Sequence, residues 1–518
     1  MTAPSASSAP AGVQTAGLEA HLPPTATAQL GHDRAPPVAE TADPEPAQPA
    51  LRSPPTDKPR VYAKVRNVWV RGRPTYDTEW IGFLWFGSSV PLKSTKAVAG
   101  PGCASWYAIE PTGYVCVDGA RATLDAADPV LQGIYPVGPN ADSPNPHPHY
   151  GETIGAEVYP RLPTVLHQRA REWDYRFHLP RVERALSGEQ RHESLLGVDL
   201  SPSPAEFTPL PEFSPLLQLG RKTLIPRSTV AWTRETLHEG RSFLLTDDLT
   251  WVPKDRVKPY SPVPFRGLHL DRVDPISGEV PKFPLALFRD EVNPQYARSA
   301  AGEFLETGHD YPRLSWVGLT GRSETLGQRT FHETVDGKFI EAETSVIPEL
   351  KATTPWGASI LKPDDSGEPQ RGRGTWIEVS ILGGWLIAYE GTQPVFVTLM
   401  SPGKGGAPHG KIPTLQTSST PTGRFKITGK FVTATMVAPN ELVHSAVPWA
   451  QNFSGPYAIH GAYWHNDWGQ KKSGGCVNLS PEDAKWVFHF TEPEIPAGWH
   501  GVRWLPNKGA ATTLLLRR

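Results

Sequence analysis

The chain is predicted to be mainly β, with small strand-rich modules leading into a larger C-terminal β-rich domain that carries a few helices. Three observations predict this. Among 518 residues, 56 are proline and 47 glycine, and punctuation that dense suits short strands joined by turns. Runs such as "NVWVRG" and "WIEVSILGGWLIAYEG" alternate apolar with polar residues, the period of a strand with one face buried. A strand-rich segment also recurs within the chain, as set out below. At this length one hydrophobic core does not serve the whole chain, so several domains are expected.

The elements follow in order. Residues 1–58 are rich in Ala, Pro, Ser and Thr, with no aromatic residue before Tyr62. Such a composition buries too little surface to offset ordering entropy, and it reads as a disordered tether. Residues 59–134 hold the runs "VYAKV", "NVWVRG", "WIGFLWFG" and "GYVCV", a first β module. Within it "CASWYAIEPTGYVC" reads as two strands about a turn at Pro111-Thr112-Gly113. Cys103 and Cys116 are there either a disulfide, which implies an oxidising compartment, or two buried thiols.

A Pro-rich linker is expected over 135–215. Its "SPNPHPHY" places His147 and His149 among prolines, where loop histidines read as solvated rather than as metal ligands. A helix is expected over 162–179, stopped by Pro180. Residues 216–365 contain the repeat: "IPRSTVAWTRETLHEGRSFLLTDDLTWVP" (225–253) aligns with "YPRLSWVGLTGRSETLGQRTFHETVDGKFIE" (311–341). Glu235-Thr236-Leu237 matches Glu324-Thr325-Leu326, Phe243 matches Phe331, and "WYAIEPTGYVCV" in the first module is similar to the closing hairpin. These units resemble bacterial SH3-like modules, which implies either binding of cell-wall peptide or a spacer role. Residues 374–505 form the C-terminal domain, and 506–518 are expected as a tail.

Charge excludes some functions. Lys and Arg number 51 against 53 Asp and Glu, a net charge of −2, which gives no support to a nucleic-acid binder. No run approaches the roughly 18 apolar residues of a membrane helix. The N-terminus lacks a basic n-region followed by an apolar h-region; a signal upstream of a misassigned start is one explanation. Most of the 17 tryptophans are expected as core anchors.

The chemistry concentrates in "YAIHGAYWHNDWGQKKSGGCVNL", residues 457–479. A free thiol is mostly protonated at neutral pH, and a neighbouring imidazole activates it. His460 precedes Cys476 by a strand, a loop and a return, so the two side chains can meet. Gly474 and Gly475 remove side chains beside the thiol, and the N–H groups of Gly475 and Cys476 are candidate oxyanion donors. Asn478 is expected to brace the turn. Ser480 suits an N-cap, Pro481 the first helical position and Asp483 a capping box. A zinc site from His460, His465 and Cys476 is the rival reading, weak without a fourth ligand.

A His-Gly, a gap and then Ser-x-Gly-Cys-x-Asn resemble the catalytic domain of L,D-transpeptidases, the YkuD-type fold. "TPTGRFKI" from Thr420 and the hairpin "WIEVSILGGWLIAYEG" resemble further parts of that family, over about 374–500. The resemblance implies Cys476 as nucleophile and His460 as base. It implies that Gly461 orients the imidazole through its carbonyl, and that Ser473, Gly475 and Asn478 shape the pocket. The family usually has His where this chain has Gly474; His465 is the candidate to compensate, or else a structural histidine. Trp449, Phe453, Tyr463 and Trp464 are expected to wall the groove.

The implied reaction is acyl transfer, without a cofactor, from a peptidoglycan stem tetrapeptide to an amine on a second stem or on a protein. It belongs in the cell envelope. Water as acceptor would make a carboxypeptidase, and loss of activity at Gly474 would leave a non-catalytic wall-binding protein.

Overall fold

In the strand Thr375–Ser380 every residue is buried, which a half-buried strand does not do. The reason is cover on both faces. Ile377 and Val379 pack into one apolar cluster with Leu386, Phe396 and Ile459, while Trp376 packs into another with Trp385, Tyr389 and Trp468. Phe265, Leu268, Phe283 and Leu285, from the upstream region, complete the second cluster. The period of 2 is present, and the polar positions are buried by partners: Glu378 accepts from Arg517 Nε at 2.8 Å and from the Tyr389 hydroxyl at 3.2 Å.

The structure is a computed structural model that describes residues 58–134, 138–176, 222–360, 374–438, 441–506 and 509–518. The expected tether, and the stretch from 177 to 221 with the end of the expected helix, lie outside the described residues. Mainly β architecture holds throughout. The described residues fall in one compact unit.

Two sheets build the C-terminal domain. A six-stranded sheet holds Thr375–Ser380, Trp385–Glu390 and Gln393–Leu399, flanked by Leu268–His269, Thr513–Arg517 and Gly423–Lys426. Residues 513–517, expected as tail, are thus an inner strand. They run parallel to Thr375–Ser380, with Trp376 opposite Thr513, and Leu514 and Leu516 are buried in the core. The short run "TLLLR" alternates too briefly to signal a strand without its partner.

The second sheet has ten strands and crosses the expected module boundary. From Val477–Leu479 it passes through Tyr457–Gly461, Val443–Ser454, Gly429–Val437 and Gly501–Arg503 to the first module's Trp80–Leu84. Phe83 pairs with Gly501 across that junction, where a Cβ on Gly501 would stand 2.3 Å from the Phe83 ring. The first module therefore continues the sheet of the C-terminal domain. Its two cysteines are disulfide-bonded, Cα to Cα 6.0 Å.

The expected linker is also structural in part. His149–Thr153 pairs with both Thr229–His238 and Val257–Pro259 inside a five-stranded sheet. His147 is buried rather than solvated, and His149 is exposed with its ring stacked on Trp232 at 5.4 Å. The helix is Val165–Arg171, capped by Thr164. Both repeat segments form three-stranded meanders. Their closing turns match bond for bond: Thr246 N–H donates to Thr250 O at 2.8 Å, and Thr334 N–H to Lys338 O at 2.9 Å. Ile109 N–H to Gly113 O, 3.0 Å, repeats the pattern in the first module.

Candidate active site

Parallel pairing sets His460 beside the strand that follows Cys476. Val477–Leu479 runs beside Tyr457–Gly461 with His460 opposite Asn478. Cys476 ends the turn just before this strand, and its thiol donates to the Pro456 carbonyl at 3.9 Å.

The turn that carries the thiol is tied by one hydroxyl. Ser473 Oγ donates to the Cys476 carbonyl at 2.6 Å and accepts from Gly475 N–H at 3.0 Å. The second bond differs from expectation, because Gly475 N–H is engaged in the turn rather than offered to an oxyanion. Gly475 sits at φ +130°, and a Cβ there would lie 2.5 Å from Tyr457 Cε1 and 2.9 Å from the Ser419 carbonyl. Gly474 is the opposite case: it is exposed, and a Cβ would meet nothing within 4 Å. An imidazole at that position has room.

A loop unremarked in the sequence seats this turn. Ser401 and Asn478 exchange backbone bonds at 2.9 Å each, Lys404 N–H donates to Ser473 O, and Gly403 N–H donates to Thr420 Oγ1 at 2.8 Å. "SPGKGG" reads only as a turn on its own, but Thr420 opens the Thr-Pro-Thr-Gly segment and could have signalled the contact.

His460 is buried, and its Nδ1 lies 3.0 Å from the Gly461 carbonyl. A carbonyl accepts only, so Nδ1 carries the proton and Nε2 the lone pair. Burial pushes the imidazole down to about 4, against the raising effect of the Gly461 bond. Burial also pushes the half-buried Cys476 thiol up, partly offset by the Ala458 backbone. Both shifts favour the uncharged forms, thiol and imidazole.

Both ring nitrogens of His465 have partners. Its Nδ1 accepts from Asp467 N–H at 3.2 Å and its Nε2 lies 3.3 Å from the Asn478 amide. The Asn478 side chain thus meets this ring rather than the turn, and its Oδ1 is buried without a hydrogen-bond partner among the described residues. Three of the expected groove residues belong to the interior. Trp449 is fully buried, with its indole N–H donating to the Pro144 carbonyl at 2.7 Å. Phe453 lies in the core beside Phe425 and Tyr457. The Tyr463 hydroxyl is held between Thr229 Oγ1 at 2.6 Å and the Ser445 carbonyl at 2.5 Å. Hydrophobic size alone does not tell a groove wall from a core anchor. Trp464 remains half-buried beside His460, ring centroids 5.8 Å apart.

The Cys476 turn leads through Val477–Leu479 into the helix Pro481–Phe490, whose N-cap Ser480 accepts from Asp483 N–H at 3.1 Å. The expected return bond of the capping box is replaced. The Asp483 carboxylate accepts from Gly267 N–H at 2.7 Å and from the Thr398 hydroxyl at 2.5 Å, fastening the upstream region to the helix start. Buried Lys430 closes the other end by donating to the carbonyls of Phe488 and Thr491.

Residues 374–497 match the family model of the L,D-transpeptidase catalytic domain, YkuD. This segment is a YkuD catalytic domain. Solved structures similar to the chain include an L,D-transpeptidase from Xylanimonas cellulosilytica, at 20% identity and a TM-score of 0.20, covering 29% of this chain and 63% of that one. The NMR structure of the Enterococcus faecium catalytic domain is 21% identical with a TM-score of 0.20, covering 28% of this chain and 99% of that one. An L,D-transpeptidase from Mycobacterium tuberculosis H37Rv is 15% identical with a TM-score of 0.21, covering 39% and 77%. The chain spans 63% of the length of the first of these, less than two thirds. A comparison with curated proteins found no match. Among the described residues no helix is long and apolar enough to cross a membrane, and no group of three His, Cys, Asp or Glu is placed to hold a metal ion. The YkuD domain's Cys476 is the free cysteine.

Proposed function

We propose that the protein is a peptidoglycan L,D-transpeptidase acting through a Cys476 thioester. The observation that supports this reading is the parallel pairing that sets His460 opposite Asn478, two residues past Cys476, with the Nδ1 proton held on the Gly461 carbonyl. In the first half-reaction His460 Nε2 takes the thiol proton as Sγ bonds to the carbonyl carbon of the third stem residue. The tetrahedral oxyanion collapses, the terminal D-Ala nitrogen leaves, and Nε2–H supplies its proton. In the second, an acceptor amine attacks the thioester, gives a proton to Nε2, and the sulfur departs and is reprotonated. With Gly475 N–H engaged by Ser473, the Cys476 N–H is the backbone donor assigned to the oxyanion.

The acceptor is an amine of a second stem or of a protein. These substrates lie in the cell envelope, and the disulfide in the first module suits an oxidising compartment. The upstream modules are proposed to hold the domain against the wall.

The test incubates purified protein with disaccharide-tetrapeptide and follows intact mass and D-Ala release, with Cys476→Ala as control. A Cys476-dependent acyl adduct and released D-Ala are expected. D-Ala release without transfer to any amine would make the protein a carboxypeptidase. Wall binding with neither adduct nor release would refute an enzyme.

A further inference from the structure

The reaction leaves His444 unused, yet its ring is built into the site. It stacks on Trp464 at 4.5 Å and 25°, and Trp464 in turn stands 5.8 Å from His460. The backbone on both sides of His444 is pinned: Val443 N–H donates to Ser228 Oγ at 3.2 Å and Ser445 N–H to Thr229 Oγ1 at 3.0 Å. Beneath, Trp464 meets the edge of Tyr463 at 4.9 Å and 90°, and Tyr463 is itself tied by its hydroxyl. The indole therefore has a fixed edge contact, a fixed stacking partner and the imidazole of His460 as neighbours. His444 Nδ1 is buried without a hydrogen-bond partner among the described residues, so what this side chain contributes is its ring face.

We propose that His444 is a positioning residue for the Cys476–His460 pair: by stacking on Trp464 it holds the indole against the His460 imidazole, and so fixes the ring that takes the thiol proton. The physical need is clear. The Nδ1 bond to Gly461 leaves the imidazole able to swing about that bond, and a ring wall is the second constraint. Gly474, beside the nucleophile, has no side chain to supply one. A charge on either histidine also disfavours a charge on the other, which helps keep both neutral. The inference rests on the reading of His460 as the base for Cys476.

The test does not need the natural substrate. Cys476 is the free cysteine, so its alkylation by iodoacetamide, followed by intact mass, reports how readily the thiol loses its proton. An aromatic stack contributes about 0.5–1.5 kcal/mol, so His444→Ala is expected to slow alkylation about two- to tenfold. His444→Phe, which restores a ring face without nitrogen, is expected to return the rate to within about twofold of wild type. Thermal unfolding checks that each variant is folded, and His444→Leu replaces the Ala variant where that one does not fold. Alkylation of His444→Ala at the wild-type rate, or His444→Phe as slow as His444→Ala, would overturn the proposal alone. Equal rates for wild type and His460→Ala would overturn the base assignment, and the proposal with it.

Discussion

The two adjacent glycines before the thiol are predicted to respond oppositely to the same added methyl group. At Gly475, φ of +130° is a region open to glycine alone, and strain of about 1–3 kcal/mol follows for alanine. The new Cβ would also stand 2.5 Å from Tyr457 Cε1 and 2.9 Å from the Ser419 carbonyl. Tyr457 cannot simply yield, because its hydroxyl is bonded to Thr414 Oγ1 at 2.6 Å. Overpacking adds about 1–3 kcal/mol, so Gly475→Ala should cost about 2–6 kcal/mol in all. That is a large share of the roughly 5–15 kcal/mol that domains have. Gly474→Ala meets nothing within 4 Å and is exposed, so its effect should stay within about 0.5 kcal/mol. Urea unfolding measures both, and Cys476 alkylation reports whether the turn that carries the thiol keeps its shape. Gly474→His should likewise fold as the wild type does, and with stem peptide it shows directly what an imidazole there adds. The reasoning fails if Gly475→Ala is as stable as wild type, or if Gly474→Ala is as damaged as Gly475→Ala.

Other outcomes follow from the same packing. Ser473→Ala removes both bonds across the turn and should cost about 1–3 kcal/mol and slow acylation of Cys476; unchanged unfolding and acylation would refute the tie. Lys430→Met leaves the carbonyls of Phe488 and Thr491 without their buried donor, and a loss of about 3 kcal/mol is expected by urea unfolding. Removal of residues 513–518 takes out an inner strand, so the shortened protein should lose the cooperative unfolding transition of the full chain; retention of it would contradict the register.

Acid is predicted to destabilise the fold. Burial holds His147 and His500 at about 3 and His460 at about 4, so the unfolded chain binds more protons than the folded one below the ordinary value of about 6.5. Their stabilisation is whole above that value and is lost as pH falls towards 4 and 3, at about 1.4 kcal/mol per pH unit for each. Asp483 and Asp247, raised to about 7 and about 6 by burial, act the other way and offset part of it. Urea unfolding at pH 7, 6 and 5 should show falling stability, and a rise towards pH 5 would sink the account.

Much of the site was legible in the residues because its chemistry is local. Cys476, Ser473 and the Ser480 cap act within a few positions of one another, and turns and caps depend on neighbours along the chain. His460 was legible through the His-Gly step and the return to Cys476. The groove was not. Trp449, Phe453 and Tyr463 look alike as large apolar residues, and whether they line a cleft or a core depends on Pro144, Phe425 and Thr229, far away in sequence.

By itself the sequence determined the strand-rich class, the three matching turns and the helix cap after Cys476, since each follows from short-range periodicity or hydrogen bonding. Tertiary structure alone decided the rest: that the first module shares a sheet with the YkuD domain, that residues 513–517 are an inner strand, and that Gly475 N–H is engaged while Gly474 stands open. It also decided that burial pushes the Cys476 thiol up and the His460 imidazole down, and that His444 reaches Trp464. Long-range pairing and desolvation have no signature in a local window of residues, and those two effects set the geometry and the charge of this site.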